Sequence, residues 1–320
     1  MKAAALVLSV LTINVAGPRR VHQGWQSRRE ALSAGLKAES PDAAAFQEAW
    51  RGEDVDALAD GAGHPYRAHE PALGLAVTSR KRLVDRSALD LGGGCGVLRA
   101  GLDLDGTTAD VYTARFAPGA GPDAARRLGQ FLAASEFISA QSKTRPVVLL
   151  GDLAVSADDK EAEIFLNLIG ARDLCVSHGD EMCGRTLEDR RVDYALIPYA
   201  SRPPRETART AFTGTLEDDG DTRPLSTHFG LAARLDGAWL KLRLAAEPEG
   251  RLEALTDAAA LLDAARAEAE ARAKLAGWIP WRGTVLALRA RADAARFTAD
   301  GERARSALAR AAKPSIPYYE

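Results

Sequence analysis

Five polar side chains stand where apolar runs begin or stop. They are Asn14 in TINVAG, Glu48 after AAAFQ, Asp152 after VVLLG, Asp193 at the head of DYALIP, and His228 before FGLAARL. The clearest case is RPVVLLGDLAVSADDK, Arg145 to Lys160. Pro146 to Leu150 reads as a strand buried on both faces, and Gly151 ends it with Asp152 delivered at its mouth. A carboxylate there is costly to bury alone, so it must meet a metal, a base or a hydrogen-bond donor. The plainer alternative is that Asp152 opens a turn, or caps a helix beginning near Asp158.

Positioning such groups needs strands whose ends gather at one edge. Gln26 to Ala38 reads as a helix, AAAFQEAW as a strand, Glu53 to Ala59 as a short helix and Leu73 to Ser79 as a strand. Gly92 to Gly96 reads as a flexible link, because the glycines lack the lysine and the strand-to-helix setting of a phosphate loop. Val97 to Leu104 and Thr108 to Phe116 flank Asp105-Gly106, a tight hairpin signal. Leu128, Phe131, Leu132, Ser135 and Ile138 share one face of a helix over Asp123 to Gln141, and a further helix covers Asp158 to Ile169. A strand at Val192 to Tyr199 carries Asp193, and Arg80 ends the strand GLAVTSR within reach of the expected site. Alternating strand pairs and helices point to a layered α/β enzyme with a cleft at the strand ends.

From Gly250 the composition shifts to Ala, Leu, Arg and Glu. Leu255, Ala258, Leu262, Ala265 and Ala269 form one stripe, and Val285, Leu288, Ala292, Ala295 and Ala299 a second. Two helices joined at GWIPW make an antiparallel hairpin, broken by Pro280, whose tip residues Trp278, Ile279 and Trp281 could enter a lipid interface. The expected division is therefore a main domain over 1–245 and a helical extension over 246–320.

The 320 residues carry a formal net charge of -2, which argues against nucleic-acid binding through bulk charge. Cys95, Cys175 and Cys183 cannot all pair, which favours a reducing compartment, and a metal clip around His178 fits no usual zinc spacing. Ala3 to Gly17 could pass for a short signal peptide but reads better as a buried first strand. The chain is thus expected to be cytoplasmic, soluble or peripheral to a membrane. His22, His64, His69 and His178 read as surface or packing residues.

Taken in order, TINVAG, PDAAAFQEAW, GLAVTSR, VVLLGDLAVSADD, RRVDYALIPY and PLSTHFGLAARL resemble the endonuclease/exonuclease/phosphatase superfamily over Leu6 to Leu235. Within it they look most like neutral sphingomyelinases. The resemblance implies a DNase I-like four-layer α/β/β/α sandwich with two packed mixed sheets, and a phosphodiester-cleaving site dependent on Mg2+, with Mn2+ as the alternative. By that resemblance Glu48 is a hard oxygen ligand for the metal, and Asn14 orients it or a phosphate. Asp193 and His228 form a dyad, and Asp152 holds or deprotonates the attacking water. Arg80 and Arg115 are the expected substrate contacts.

Three positions depart from the family pattern. Ala154 stands where GDLN has asparagine, Thr227 where SDH has aspartate, and Arg115 where a THL-like triplet has histidine. Arginine can pair with phosphate but cannot exchange a proton near neutrality. These departures predict an intact cleft with weakened turnover on a phosphodiester such as a phospholipid head group. The second expectation is a non-catalytic phosphodiester- or membrane-binding pseudo-enzyme, and the third a nuclease. The sequence gives no oligomeric state.

Overall fold

The computed structural model describes residues 7–19, 24–177, 180–181, 183–198, 207–218, 221–245, 248, 250–276 and 283–312. In chain order the first elements are β1 (Leu8–Asn14), α1 (Trp25–Glu39), β2 (Ala43–Gln47), α2 (Gly52–Ala62), β3 (Tyr66–Glu70), β4 (Leu75–Ser79), β5 (Leu83–Gly92), β6 (Cys95–Asp103), β7 (Thr108–Arg115), α3 (Pro122–Gln141), β8 (Val147–Asp152) and α4 (Lys160–Ile169). There follow β9 (Ala171–Asp173), β10 (Val176–Ser177), β11 (Asp180–Glu181), β12 (Asp193–Pro198), β13 (Thr207–Ala211), β14 (Thr215–Asp218), β15 (Asp221–Pro224), β16 (Gly230–Leu235), α5 (Arg251–Ala276) and α6 (Gly283–Ala311).

Two six-stranded mixed sheets pack face to face. One runs β13-β16-β1-β2-β4-β3 and the other β5-β6-β7-β8-β12-β9. Alternation along β1 decides which layer each side chain joins. Leu8 and Val10 enter the core between the sheets, with Val77, Leu98, Val111 and Leu150. Leu11 and Ile13 point outward into a core with Trp25 and Leu32 of α1 and Val55 and Leu58 of α2. On the opposite side Tyr112 and Leu149 meet Phe131 of α3 and Phe165 of α4. Strands buried on both faces explain the near-continuous apolar runs, and the four-layer α/β/β/α sandwich is the observed fold.

The helical hairpin α5–α6 lies over this last layer. Leu255, Leu262 and Phe297 belong to the same apolar cluster as Phe131 and Phe165, so the extension is continuous with the core beneath it. On α5 the expected stripe is the buried one in large part. On α6 the face differs: Val285 and Leu288 are exposed, while Ala287, Ala290, Ala294, Phe297, Gly301 and Ala304 are buried. Alanines recur on several faces of α6 and cannot choose among them; the fully buried Phe297 does. Trp278, Ile279, Pro280 and Trp281 lie outside the described residues.

Cys175 and Cys183 are joined in a disulfide and Cys95 is a buried free thiol, so the three do not all pair, as the odd count requires. A bridged pair suits an oxidising compartment and runs against the reducing one expected from the odd count. The imagined metal clip fails with it, since both sulfurs are spent on each other; His178 is outside the described residues. Among the described residues no helix is long and apolar enough to cross a membrane. Leu8–Asn14 is an interior strand, as read from the sequence, bonded antiparallel to β16 and parallel to β2.

Gly92 to Gly96 is also more ordered than a link. Gly93 and Gly94, both at positive φ, turn a long β5–β6 hairpin. β5 escapes the sequence reading because it is an edge strand with mostly exposed side chains and little buried stripe.

Candidate active site

The sheet directions bring the distant polar residues together. β1 and β2 run parallel with Asn14 opposite Gln47, so Glu48 emerges one residue beyond the same edge. In the second sheet β7 and β8 run parallel with Arg115 opposite Asp152, and β12 runs antiparallel with Asp193 opposite Asp152. A strand end, a parallel neighbour's end and an antiparallel neighbour's start therefore coincide. Between the sheets the Gln47 amide donates to Thr12 Oγ1 at 3.0 Å and Thr113 Oγ1 at 2.8 Å, a buried polar tie just beneath the site. Gly151 is required there, because a Cβ would strike the Ala114 backbone of β7.

Asn14 is the hub. Its fully buried amide nitrogen donates to Glu48 Oε1 and to Asp152 Oδ2, each at 3.1 Å, while its oxygen accepts from the Ala16 amide at 2.9 Å. Asp152 also opens a turn, since its Oδ1 accepts the Ala154 amide at 2.8 Å. Both readings of this residue hold at once, one per oxygen. On the far side His228 Nδ1 lies 2.8 Å from Asp193 Oδ2. Ser226 ties that loop down, donating to the Asn14 carbonyl at 2.5 Å and accepting the His228 amide at 3.3 Å.

Burial sets the electrostatics. Desolvation, with Asp193 close by, pushes the Asp152 carboxyl up to about 6, against the pull of His228, Asn14 and Arg115. Burial alone would lower the His228 imidazole, but Asp193, Asp152 and Glu48 outweigh it and raise it to about 9. At neutral pH the ring is thus an imidazolium held by a carboxylate.

Among the described residues Asp193 Oδ1 is buried without a hydrogen-bond partner, and ligand atoms of Asp152, Asp193 and His228 lie within 4.8 Å of one another. An orphaned carboxylate oxygen beside a second carboxylate fits a hard divalent cation, which takes oxygen donors. Glu48 adds a carboxylate through Asn14, so the donor set suits Mg2+ or Mn2+. One of its oxygens, however, already receives Arg115 Nη2 at 3.1 Å.

Two expected residues are placed differently. Arg80 is remote from the cleft: β4 runs antiparallel to β2, with Ser79 opposite Ala43, so the end of β4 lies at the start of β2. There its guanidinium donates to Ser40 Oγ at 2.5 Å. Strand direction, which the sequence did not disclose, decides this. Arg115 does reach the cleft, but it pairs with Glu48 and donates to the Gly94 carbonyl at 3.3 Å. Thr227 is exposed beside His228, and Ala154 follows Asp152 with φ 55°, a left-handed conformation in which asparagine is far more at home than alanine. His64 is buried against Thr78 Oγ1 and the Pro41 carbonyl, and the half-buried His69 bonds the Ala49 carbonyl, as packing histidines should; His22 is outside the described residues.

Sequence reasoning missed Thr186, Trp50, Arg19 and Arg28. Thr186 Oγ1 accepts the Val192 and Asp193 amides at 3.0 and 3.1 Å, and its carbonyl accepts the Phe229 amide at 2.7 Å, so one buried residue holds Asp193 directly and the backbone next to His228. Only its place shortly before RRVDY could have drawn notice. Trp50 lies under Arg19 at 3.9 Å and Arg115 at 5.9 Å, accommodated by Gly74 and Gly94, where a Cβ would press on its ring. Arg28 donates to the Val15 and Ala16 carbonyls.

The family model for the endonuclease/exonuclease/phosphatase family matches residues 11–257, a span that contains both sheets save the first three residues of β1, and all of the converging side chains. The chain belongs to the endonuclease/exonuclease/phosphatase family. Solved structures of similar fold include sphingomyelinase C from Streptomyces griseocarneus, 18% identical with a TM-score of 0.54, covering 72% of this chain and 99% of that one. A D. rerio TDP2 complexed with single strand DNA product is 18% identical with a TM-score of 0.59, covering 71% and 98%. A Staphylococcus aureus beta toxin mutant with bound magnesium ions is 15% identical with a TM-score of 0.57, covering 72% and 100%. At these identities the likeness is one of fold. No curated protein sequence matches this one.

Proposed function

We propose that the protein hydrolyses a phosphodiester with a divalent cation, Mg2+ or Mn2+, using Asp152, Asp193 and His228, and that its turnover is weakened by Ala154, Thr227 and Arg115. The observation that carries this reading is the buried Asp193–His228 pair at 2.8 Å, one strand spacing from Asp152. Asp152, ionised at neutral pH with a carboxyl near 6, takes the proton from the attacking water. The phosphorus–oxygen bond to the leaving group breaks as the bond to water forms. The His228 imidazolium, held by Asp193, gives a proton to the departing oxygen. Glu48, Asp152 and Asp193 would hold the cation, which supplies charge stabilisation to the phosphoryl oxygens.

The substrate class we favour is a phospholipid head group of the sphingomyelin kind, as the motif order suggests. The formal charge of -2 gives a nucleic acid little bulk attraction. Residues 246–320 act as an extension of the catalytic domain 1–245. Residues Trp278 and Trp281 are proposed as the peripheral lipid contact. A release assay on sphingomyelin, a generic phosphodiester and DNA, with Mg2+ or with chelator, tests the reading. Metal-dependent release above that of His228→Ala supports it; background release from all three favours the non-catalytic binder. Unchanged liposome co-sedimentation after Trp278→Ala with Trp281→Ala removes the lipid contact.

A further inference from the structure

Arg115 closes an ion pair where the proposed cation would need a ligand. Its Nη2 lies 3.1 Å from Glu48 Oε1, the same oxygen that accepts the Asn14 amide at 3.1 Å. The second carboxylate in its neighbourhood is Asp152, opposite it in the β7–β8 register. We propose that the Arg115 guanidinium is a built-in counter-ion to Glu48, which a divalent cation must displace, so that Arg115 sets the metal affinity of the cleft. This rests on the reading that Glu48 faces the cation.

Three features argue that the arginine is fixed here rather than passing through. Nη1 is anchored independently on the Gly94 carbonyl at 3.3 Å. The guanidinium lies beside the Trp50 ring, 5.9 Å from its centroid, and Trp50 is wedged between Gly74 and Gly94. Gly94 is at φ 76°, and a Cβ there would run into Arg19 and Trp50, so the turn that presents its carbonyl tolerates no side chain. The side chains of both partners are largely shielded, at 16% and 26% exposure, so solvent screens the pair only in part.

A guanidinium cannot leave by losing its proton, because it stays charged at any ordinary pH. Its only exit is to swing off Glu48 while keeping Gly94 and Trp50. A cation entering beside Glu48 meets a permanent like charge at salt-bridge distance, a repulsion that must be relieved before the metal is held. Arg28 adds a second positive group near Glu48, tied to the Val15 and Ala16 carbonyls and not to the carboxylate.

The test is Mn2+ binding to the full chain, followed by the electron paramagnetic resonance of free Mn2+. The set is wild type, Arg115→Met, Arg115→Gln, Arg115→Lys, Glu48→Gln and Arg115→Met with Glu48→Gln. Arg115→Met and Arg115→Gln should bind at least about tenfold tighter than wild type, and Arg115→Lys should stay near wild type because it keeps the charge. Adding Glu48→Gln should abolish the gain. In the unaltered protein, Mg2+ titration should move the Arg115 Nε–H resonance, assigned by its loss in Arg115→Lys, because the guanidinium leaves Glu48. Equal affinity across the Arg115 variants, or Mg2+ saturation with no arginine signal moving, overturns the proposal while leaving the cation site standing. No Mn2+ binding by any variant, Arg115→Met included, overturns the cation site and this inference together.

Discussion

The two flanks of the cleft are held in different ways. Asp193 and His228 are fixed by backbone and hydroxyl contacts, from Thr186 on one side and Ser226 on the other. Glu48 stands one residue past its strand at φ 54°, and its carboxylate depends on the side chains of Asn14 and Arg115. The three departures from the family pattern are spread over the cleft: Arg115 pairs with Glu48, Ala154 lies in the turn after Asp152, and Thr227 sits between Ser226 and His228. Ala154 and Glu48 both have left-handed backbones, a conformation that at position 154 suits asparagine better than the alanine present. The dyad is placed mainly by main-chain and hydroxyl contacts, whereas the Glu48 carboxylate is placed by side chains and so is open to change at each of them.

The largest expected break is on the dyad. His228→Ala or Asp193→Asn should lower kcat by about a hundredfold or more in the release assay, since the proton donor or its holder is gone. Next comes repair of the three departures from the family pattern. Ala154→Asn, Thr227→Asp and Arg115→His together should raise kcat by about tenfold to a hundredfold, and no gain would separate these positions from turnover. Thr186→Ala should cost about tenfold in kcat and bring the basic limb of the pH–rate profile toward neutrality, while Thr186→Ser restores both.

A pH titration of stability compares the flanks without substrate. His228 is raised from its ordinary 6.5 to about 9, so its stabilising contribution is complete below about pH 6.5 and is lost as pH climbs through 9. Asp152, raised from 3.8 to about 6, has the same sign, its share being lost between about pH 4 and 6 in metal-free protein. Urea unfolding of wild type against His228→Gln should converge as pH passes 9. The smallest effect is on the backbone itself: Ala154→Gly should stabilise by about 0.5–1 kcal/mol by relieving the left-handed strain, measured as a rise in Tm.

The sandwich was legible because its strands are buried on both faces and announce themselves as apolar runs that end in polar residues. Asn14, Glu48, Asp152, Asp193 and His228 were legible for the same reason. What the residues could not disclose was strand direction, which puts the end of β4, and Arg80 with it, at the opposite edge of the sheet from the cleft, and edge strands such as β5, whose exposed side chains leave no stripe. Alanine spacing on α6 was degenerate until Phe297 chose a face. Thr186 and the Cys175–Cys183 bridge depend on loop contacts that no local pattern carries.

β1 is bonded on one side to β2 and on the other to β16, a partner more than two hundred positions away. Nascent chain leaving the ribosome therefore cannot cover the second edge of that first strand until residue 235 has emerged. Premature release would leave an apolar ribbon with an open edge, ready to stick to its neighbours, so production of this protein should depend on chaperone supply more than its modest size suggests.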